Sequence, residues 1–376
     1  MNDRMALNLI AEIMGWDEDK DGTATREYAW LSLMSAVKYD GYADFRAGVR
    51  FLETLAAWLM QFASADRAVA YAFVKQRLVY VSPPELQCLI NAFVPEVVTP
   101  DLRRAVAERL QCEPYEVWSS KRGVELFNEA LRRTLFVGLS DGSRIDVLRR
   151  ANSKRLSTEQ VVPMMNIDPE KWCDLGDKLT EEHGPGAEFD RVYLIDDFTA
   201  SGTTFIREKD GRWKGKLKKF NDIVQSSRKE LGDRFPLARG YTLCVHHYIS
   251  SHQAAKALRD RLRTAEVEWA DRSYGSHAAT EGLLLPETLK MTPAHDADVL
   301  GLCERYYDHA LFERLRKHCE EAEQSNMKFG YADCALPVVM DHNTPNNSVP
   351  LLWAETAGDR GAHPVRPLFR RRDRHG

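Results

Sequence analysis

The sequence predicts an α/β protein: a twisted, mostly parallel sheet with flanking helices, preceded by an α-helical N-terminal region. Three observations predict it. Apolar residues recur at helical spacing through the first third of the chain. From about residue 133, short apolar runs alternate with helical patterns, as they do where crossover helices join parallel strands. The clearest of these runs ends in two carboxylates and a small, hydroxyl-rich turn, which is how open α/β sheets present a ligand site.

In the N-terminal region, Phe51, Leu55, Trp58, Leu59 and Phe62 fall at three- and four-residue steps and so share one helical face. Thr99-Pro100-Asp101 before Leu102, Val106 and Leu110 reads as a helix start with a capping threonine, and Ser82-Pro83-Pro84-Glu85 as another. Val79–Val81 is too short to assign. Farther on, Leu135–Leu139, Arg191–Ile195 and Tyr241–Tyr248 are strand candidates, and Ala335–Met340 is a further strand-like run. Helical patterns cover Asn221–Leu231 and Gln253–Leu262, followed by the short apolar run Val267–Ala270. The expected division is a helical region over 1–125, the α/β core over 126–357 and a basic, mobile tail over 358–376. That tail carries Arg360, Arg366, Arg370, Arg371, Arg372 and Arg374.

The composition excludes several classes. With 376 residues, 44% hydrophobic and 29% charged, the chain has the balance of a globular protein of about two domains. A net charge of −4 argues against a surface wholly given to nucleic acid. The longest apolar stretches, such as Thr54–Met60 and Ala68–Val74, fall far short of the roughly 18–20 residues a spanning helix needs. Seven cysteines stand singly, without a CxxC pair, and imply free thiols in a reducing compartment. A cytoplasmic protein without a membrane partner is expected.

The segment that carries chemistry runs from Arg191 to Arg207. A buried strand is followed by Asp196 and Asp197, then by Thr199, Ala200, Ser201, Gly202, Thr203 and Thr204 in a turn that is expected to open a helix. The unpaired N–H groups and positive dipole end of a helix N-terminus suit a phosphate, and Gly202 lets the backbone approach it. The two carboxylates are acceptors for hydroxyl groups such as those of a ribose. Alternatively, the two acids merely cap a helix at the end of an open sheet.

Over about 13 residues this segment resembles the phosphoribosyl pyrophosphate signature of the type I phosphoribosyltransferases. The resemblance implies a phosphoribosyltransferase-like core in which Asp196 and Asp197 hold the ribose 2- and 3-hydroxyls and Thr199–Thr204 cradle the 5-phosphate. It implies Mg²⁺ arriving with the diphosphate, no direct protein metal site, and substitution at the anomeric carbon. Purine-salvage members carry an acid three residues past the second acid; here that position is Ala200. Ordinary salvage is correspondingly disfavoured.

Two further segments fit the same picture. Ser140, Asp141, Gly142, Ser143 and Arg144 follow an earlier strand, as the diphosphate loop does in the resembled family; the same residues also make a plain hairpin turn. His342, Asn343, Asn346 and Asn347, in the block Asp341–Asn347, form either a turn before Pro345 or a rim that reads a base or ribose. This block, with Leu78–Leu86, resembles the branch of phosphoribosyltransferase-like effectors of bacterial conflict systems, some of which sit beside reverse transcriptases in retron modules. The resemblance implies a defence effector acting on or binding phosphoribosyl pyrophosphate or a nucleotide, with a reverse transcriptase or nucleic acid as partner. A salvage transferase and a non-catalytic phosphoribosyl sensor are the alternatives. The basic stretch Arg207–Lys219 reads as a solvated loop or as a contact for diphosphate or nucleic acid. His246 and His247 would point to opposite sides of a strand and read as core or rim residues.

Overall fold

The structure, a computed structural model, describes residues 3–16, 22–45, 48–358 and 363–371. The chain divides into two compact units. One comprises Leu86–Leu285, and the other joins Met1–Glu85 to Pro286–Gly376. The units are therefore not the consecutive segments expected from the sequence: residues 86–125 go with the sheet, and residues 286–357 go with the N-terminal helices.

The unit Leu86–Leu285 is built on five parallel strands: β1 (Thr134–Gly138), β2 (Val161–Val162), β3 (Phe189–Thr199), β4 (Leu237–Ser251) and β5 (Tyr274–Leu285). Their spatial order is β2-β1-β3-β4-β5. One face carries Leu135, Val137, Val192, Leu194, Leu243 and Val245. Over it lie α1 (Pro169–His183), α2 (Lys216–Leu231) and α3 (His252–Glu268), which contribute Trp172, Phe220 and Leu258 to the same core. Burial on both faces explains why β1 and β3 read as continuous apolar runs without alternation.

The opposite face presents Phe136, Tyr193, His246 and Tyr248 around the ring of Phe93, whose centroid lies 4.3 Å from that of His246 and 5.4 Å from that of Tyr193. Asp101, on the helix Thr99–Leu110, accepts from Arg191 Nη1 (2.6 Å) and Tyr193 Oη (2.7 Å), closing that face with a charged cluster. Thr99 is not the cap its sequence suggests. A π-helical turn, Phe93–Val98, runs straight into this helix, and the Thr99 hydroxyl donates back to Val94 O (2.8 Å).

The other unit has its own core. Phe51, Leu55, Trp58, Leu59 and Phe62 are all buried in it, and the first four lie on the helix Phe51–Met60. Val79–Val81 and Val338–Met340 form a two-stranded parallel ladder within this unit. The strand-like run Ala335–Met340 thus contributes its last three residues to this ladder and not to the five-stranded sheet. The expected mobile tail is corrected too. Val365, Leu368 and Phe369 are buried, and Phe369 packs among Tyr39, Tyr42, Phe45, Phe51 and Tyr80. Arg370 pairs with Glu355 and Arg371 lies over Trp353, whereas Arg360, Arg372 and Arg374 fall outside the described residues.

Two differences in the sheet unit have local causes. β5 gives no strand signal because Tyr274–Leu285 contains Gly and Ala and does not alternate; Val267, in the short apolar run before it, is at the exposed end of α3. The basic stretch after Ile206 is an antiparallel hairpin, with Arg207–Lys209 paired to Arg212–Lys214, rather than an open loop. Trp213 of that hairpin stacks on Trp269 at 5.6 Å and 15°.

Candidate functional site

The strand order reverses between β1 and β3: the chain passes from β1 outward to β2, then returns to the other side of β1 as β3. At such a switch point the connections leave in opposite directions and a crevice opens beyond the strand ends. The two acids and the turn after β1 meet there. The Ser140 hydroxyl donates to Asp196 Oδ1 (2.5 Å). Gly142 lies against Asp197 so closely that a Cβ there would stand 2.3 Å from Oδ2. Ser143 closes the turn through its N–H (3.0 Å) and hydroxyl (2.7 Å), both donated to Ser140 O. Arg144 follows in the left-handed region, φ 48°.

Asp196 and Asp197 lie within β3, which continues to Thr199, rather than beyond its end. Successive side chains leave a strand on opposite faces, so the two acids have different neighbours. Asp196 turns toward α2 and accepts from Lys216 Nζ as well as from Ser140. Asp197 accepts from the N–H of Phe198 (2.8 Å) and abuts Gly142. Both are buried. Burial pushes the Asp196 carboxyl upward from its ordinary range, Lys216 opposes that shift, and Asp197 adds to it. His247, the register partner of Asp196 on β4, is held down to about 3 by burial, with Lys216 adding to the effect. It is a neutral imidazole at physiological pH. His246 occupies the other face, as expected, also held down to about 3 by burial, with Nδ1 against Thr280 Oγ1 (3.0 Å). The Tyr248 hydroxyl on that same face is buried without a hydrogen-bond partner, and burial and the charge of Asp197 both push it upward.

The turn 199–204 departs from expectation in one respect: it does not open a helix. Ten residues, Ile206 to Gly215, separate Phe205 from Lys216, the first residue of α2. The hairpin nevertheless returns the chain to its starting point. Lys216 N–H donates to Thr204 O (3.1 Å) and Leu217 N–H to Phe205 O (3.0 Å). Two of the amides that a helix N-terminus would offer a phosphate are thus engaged by the turn itself. The turn packs instead on α3. Ser251, the N-cap of α3, donates to Ala200 O (2.6 Å) and accepts from Ala254 N–H (3.0 Å). Gly202 has φ +69°, and a Cβ on it would meet Ala254 O at 3.1 Å and Arg261 Nη1 at 3.4 Å. Ser201 and Thr203 share a hydroxyl–hydroxyl bond (2.8 Å). The result is a tight hydroxyl-lined turn with a guanidinium beside its glycine.

The remaining residues singled out in the sequence lie in the other unit. His342 Nδ1 is 2.9 Å from Asp341 Oδ1. Asn343 makes a turn with Met340 through reciprocal backbone bonds of 3.1 Å. Asn346 O accepts from Tyr331 N–H (2.7 Å), and Asn347 Nδ2 donates to Tyr331 O (3.1 Å). The block and the segment Leu78–Leu86, set together by resemblance, touch at one point: Asp341 N–H donates to Val81 O (2.9 Å).

Sequence reasoning took in Lys216 only as one member of the basic stretch Arg207–Lys219, with no link to Asp196, and missed Arg261 beside the turn. Lys216 sits in a run of basic residues with nothing to distinguish it, and Arg261 is one of several arginines on an amphipathic helix. Only the hairpin closure and the packing of α3 bring them in.

Fold and crevice together define a doubly wound, parallel α/β domain with an acidic pair and a glycine-containing turn at its switch point. A family model, PRTase-CE, matches residues 55–371, and the chain belongs to this family of phosphoribosyltransferase-like conflict-system effectors. No curated protein and no solved structure matches it. No helix among the described residues is long and apolar enough to cross a membrane.

Proposed function

We propose that the crevice binds a phosphoribosyl compound, phosphoribosyl pyrophosphate or a nucleotide, and that the protein acts through it as a defence effector. The observation that carries this reading is the convergence of Ser140, Gly142, Asp196 and Asp197 at one switch point. In this reading Asp196 and Asp197 accept from the ribose hydroxyls. Thr199–Thr204 enclose the 5-phosphate, with Arg261 beside Gly202 as its counter-charge, and Ser140–Arg144 face the diphosphate. Asp196 is already paired with the Lys216 ammonium, which makes it a poor direct ligand for a divalent ion; Mg²⁺ fits better as an ion carried by the diphosphate, whose leaving-group charge it would neutralise. The chain's own contribution is positioning and electrostatic stabilisation for substitution at the anomeric carbon. A reverse transcriptase or nucleic-acid partner, as in retron modules, belongs to the same proposal.

The test is calorimetry of phosphoribosyl pyrophosphate with Mg²⁺, comparing the wild type with Asp196→Asn/Asp197→Asn. Saturable binding abolished in the double variant is the expected result. A folded wild type that binds nothing would overturn the assignment.

A further inference from the structure

We infer that Lys216 is a positioning residue: the fixed counter-charge that holds Asp196 as a carboxylate, and so as an acceptor for the ligand's hydroxyl pair. This rests on the reading of the crevice given above.

The placement of Lys216 is built into the backbone rather than left to a flexible surface side chain. Gly215, with φ +108°, passes so close to the chain that a Cβ would stand 2.5 Å from Phe205 O. That passage is open only to glycine, and it seats the Lys216 N–H under Thr204 O. The ammonium then reaches Asp196 Oδ2 while Ser140 takes Oδ1. A carboxylate has about four lone-pair sites, so two remain for a diol after these contacts. A protonated carboxyl would instead carry a hydrogen where the diol must donate.

The environment makes a counter-charge necessary. Among the described residues, the charged and titratable groups acting on Asp196 are Lys216 from α2, its chain neighbour Asp197 and His247 in register on β4; the turn after β1 adds the Ser140 hydroxyl. Of these, Asp197 favours protonation of Asp196, and His247 is neutral. Lys216 is the cation that opposes burial there. An opposite charge at this range typically lowers a carboxyl pKa by about 1–3 units.

Two measurements test this on the full chain. In the ligand-free protein, ¹³C-carboxyl titration of Asp196 is followed in the wild type, Lys216→Met and Lys216→Arg, with circular dichroism confirming the fold of each. The expected result is a midpoint about 1–3 pH units higher in Lys216→Met and close to wild type in Lys216→Arg. Calorimetry with phosphoribosyl pyrophosphate and Mg²⁺ then gives the ratio of wild-type to Lys216→Met affinity between pH 8 and 5.5. That ratio is expected to grow as pH falls, because the variant loses its carboxylate first. An unchanged Asp196 midpoint, or a ratio independent of pH, would overturn the inference and leave Lys216 as a direct ligand contact or a structural pair. A Lys216→Met protein that binds more tightly than wild type would overturn it as well, making Lys216 a competitor of the ligand. Absence of binding by the wild type would sink the ligand assignment, while the carboxyl titration still decides whether Lys216 sets the charge of Asp196.

Discussion

Gly142 and Asp197, 55 residues apart in sequence, are in direct contact: a single added carbon on Gly142 would stand 2.3 Å from Asp197 Oδ2 and 2.7 Å from Cγ. The turn after β1 and the acid of β3 therefore occupy one surface, and the glycine is what lets them do so. Gly142→Ala meets the end of a side chain and not backbone, so the carboxylate swings aside at a cost to folding of only about 1 kcal/mol. Phosphoribosyl pyrophosphate affinity is expected to fall at least about tenfold (~1.4 kcal/mol) with little change in melting temperature. Unchanged affinity in calorimetry would show that Asp197 does not meet the ligand.

Gly215→Ala is expected to behave differently. Its φ of +108° lies in the left-handed region, and its Cβ would meet the Phe205 carbonyl, a backbone group that cannot rotate away. Left-handed strain alone is about 1–3 kcal/mol. Thermal unfolding should show a clear loss of stability, accompanied by disruption of the Lys216–Asp196 pair. A melting curve identical to wild type would contradict the hairpin closure at Phe205 O.

The two buried histidines of β4 set an acid limit on stability. His246 is held down to about 3 by burial, whereas an unperturbed histidine titrates near 6.5. Between those values the unfolded chain carries a proton that the folded chain does not, so stability is retained above about 6.5 and declines as pH falls toward 3. His246→Phe, packed against Phe93, removes one proton from that balance and should flatten the decline by about 1.4 kcal/mol per pH unit. Asp196 remains in both proteins and cancels in the comparison; His247 also remains, and its smaller lowering of His246 is removed together with that residue. Urea unfolding from pH 7 to 4.5 measures it, and parallel slopes for the two proteins would refute it.

Phe369 anchors the C-terminal segment in a packed core. Five aromatic rings surround it within 6.0 Å between centroids. Phe369→Ala should cost about 3–5 kcal/mol, as expected for an aromatic removed from a packed core. A mobile tail would show no effect in denaturant unfolding.

Much of the candidate site was legible because its chemistry is contiguous. Arg191–Thr204 contains a buried strand, two acids and a glycine turn within one short stretch, and a parallel strand covered on both faces announces itself by an unbroken apolar run. Asp196 and Asp197 stand out in this way; the turn after β1 lies outside that stretch, and its sequence fits a plain hairpin turn as well. The open edge strand β5 does not stand out, since small residues carry no periodic signal. Nor does the seating of the loop on α3, because α3 is not the next helix in the chain and no local spacing links the two.

The sequence by itself determined the fold class, the strand that bears the acids, and the residue types available to a ligand, since these follow from neighbours along the chain. Tertiary structure decided which neighbours those residues acquire. It paired Val79–Val81 with Val338–Met340, more than 250 residues away, and buried Phe369 instead of leaving it in a tail. It also brought Lys216 back across a hairpin to Asp196. Such pairings depend on which surfaces remain to be buried once local elements have formed, and on whether a glycine lets two backbones touch. Spacing along the chain records neither.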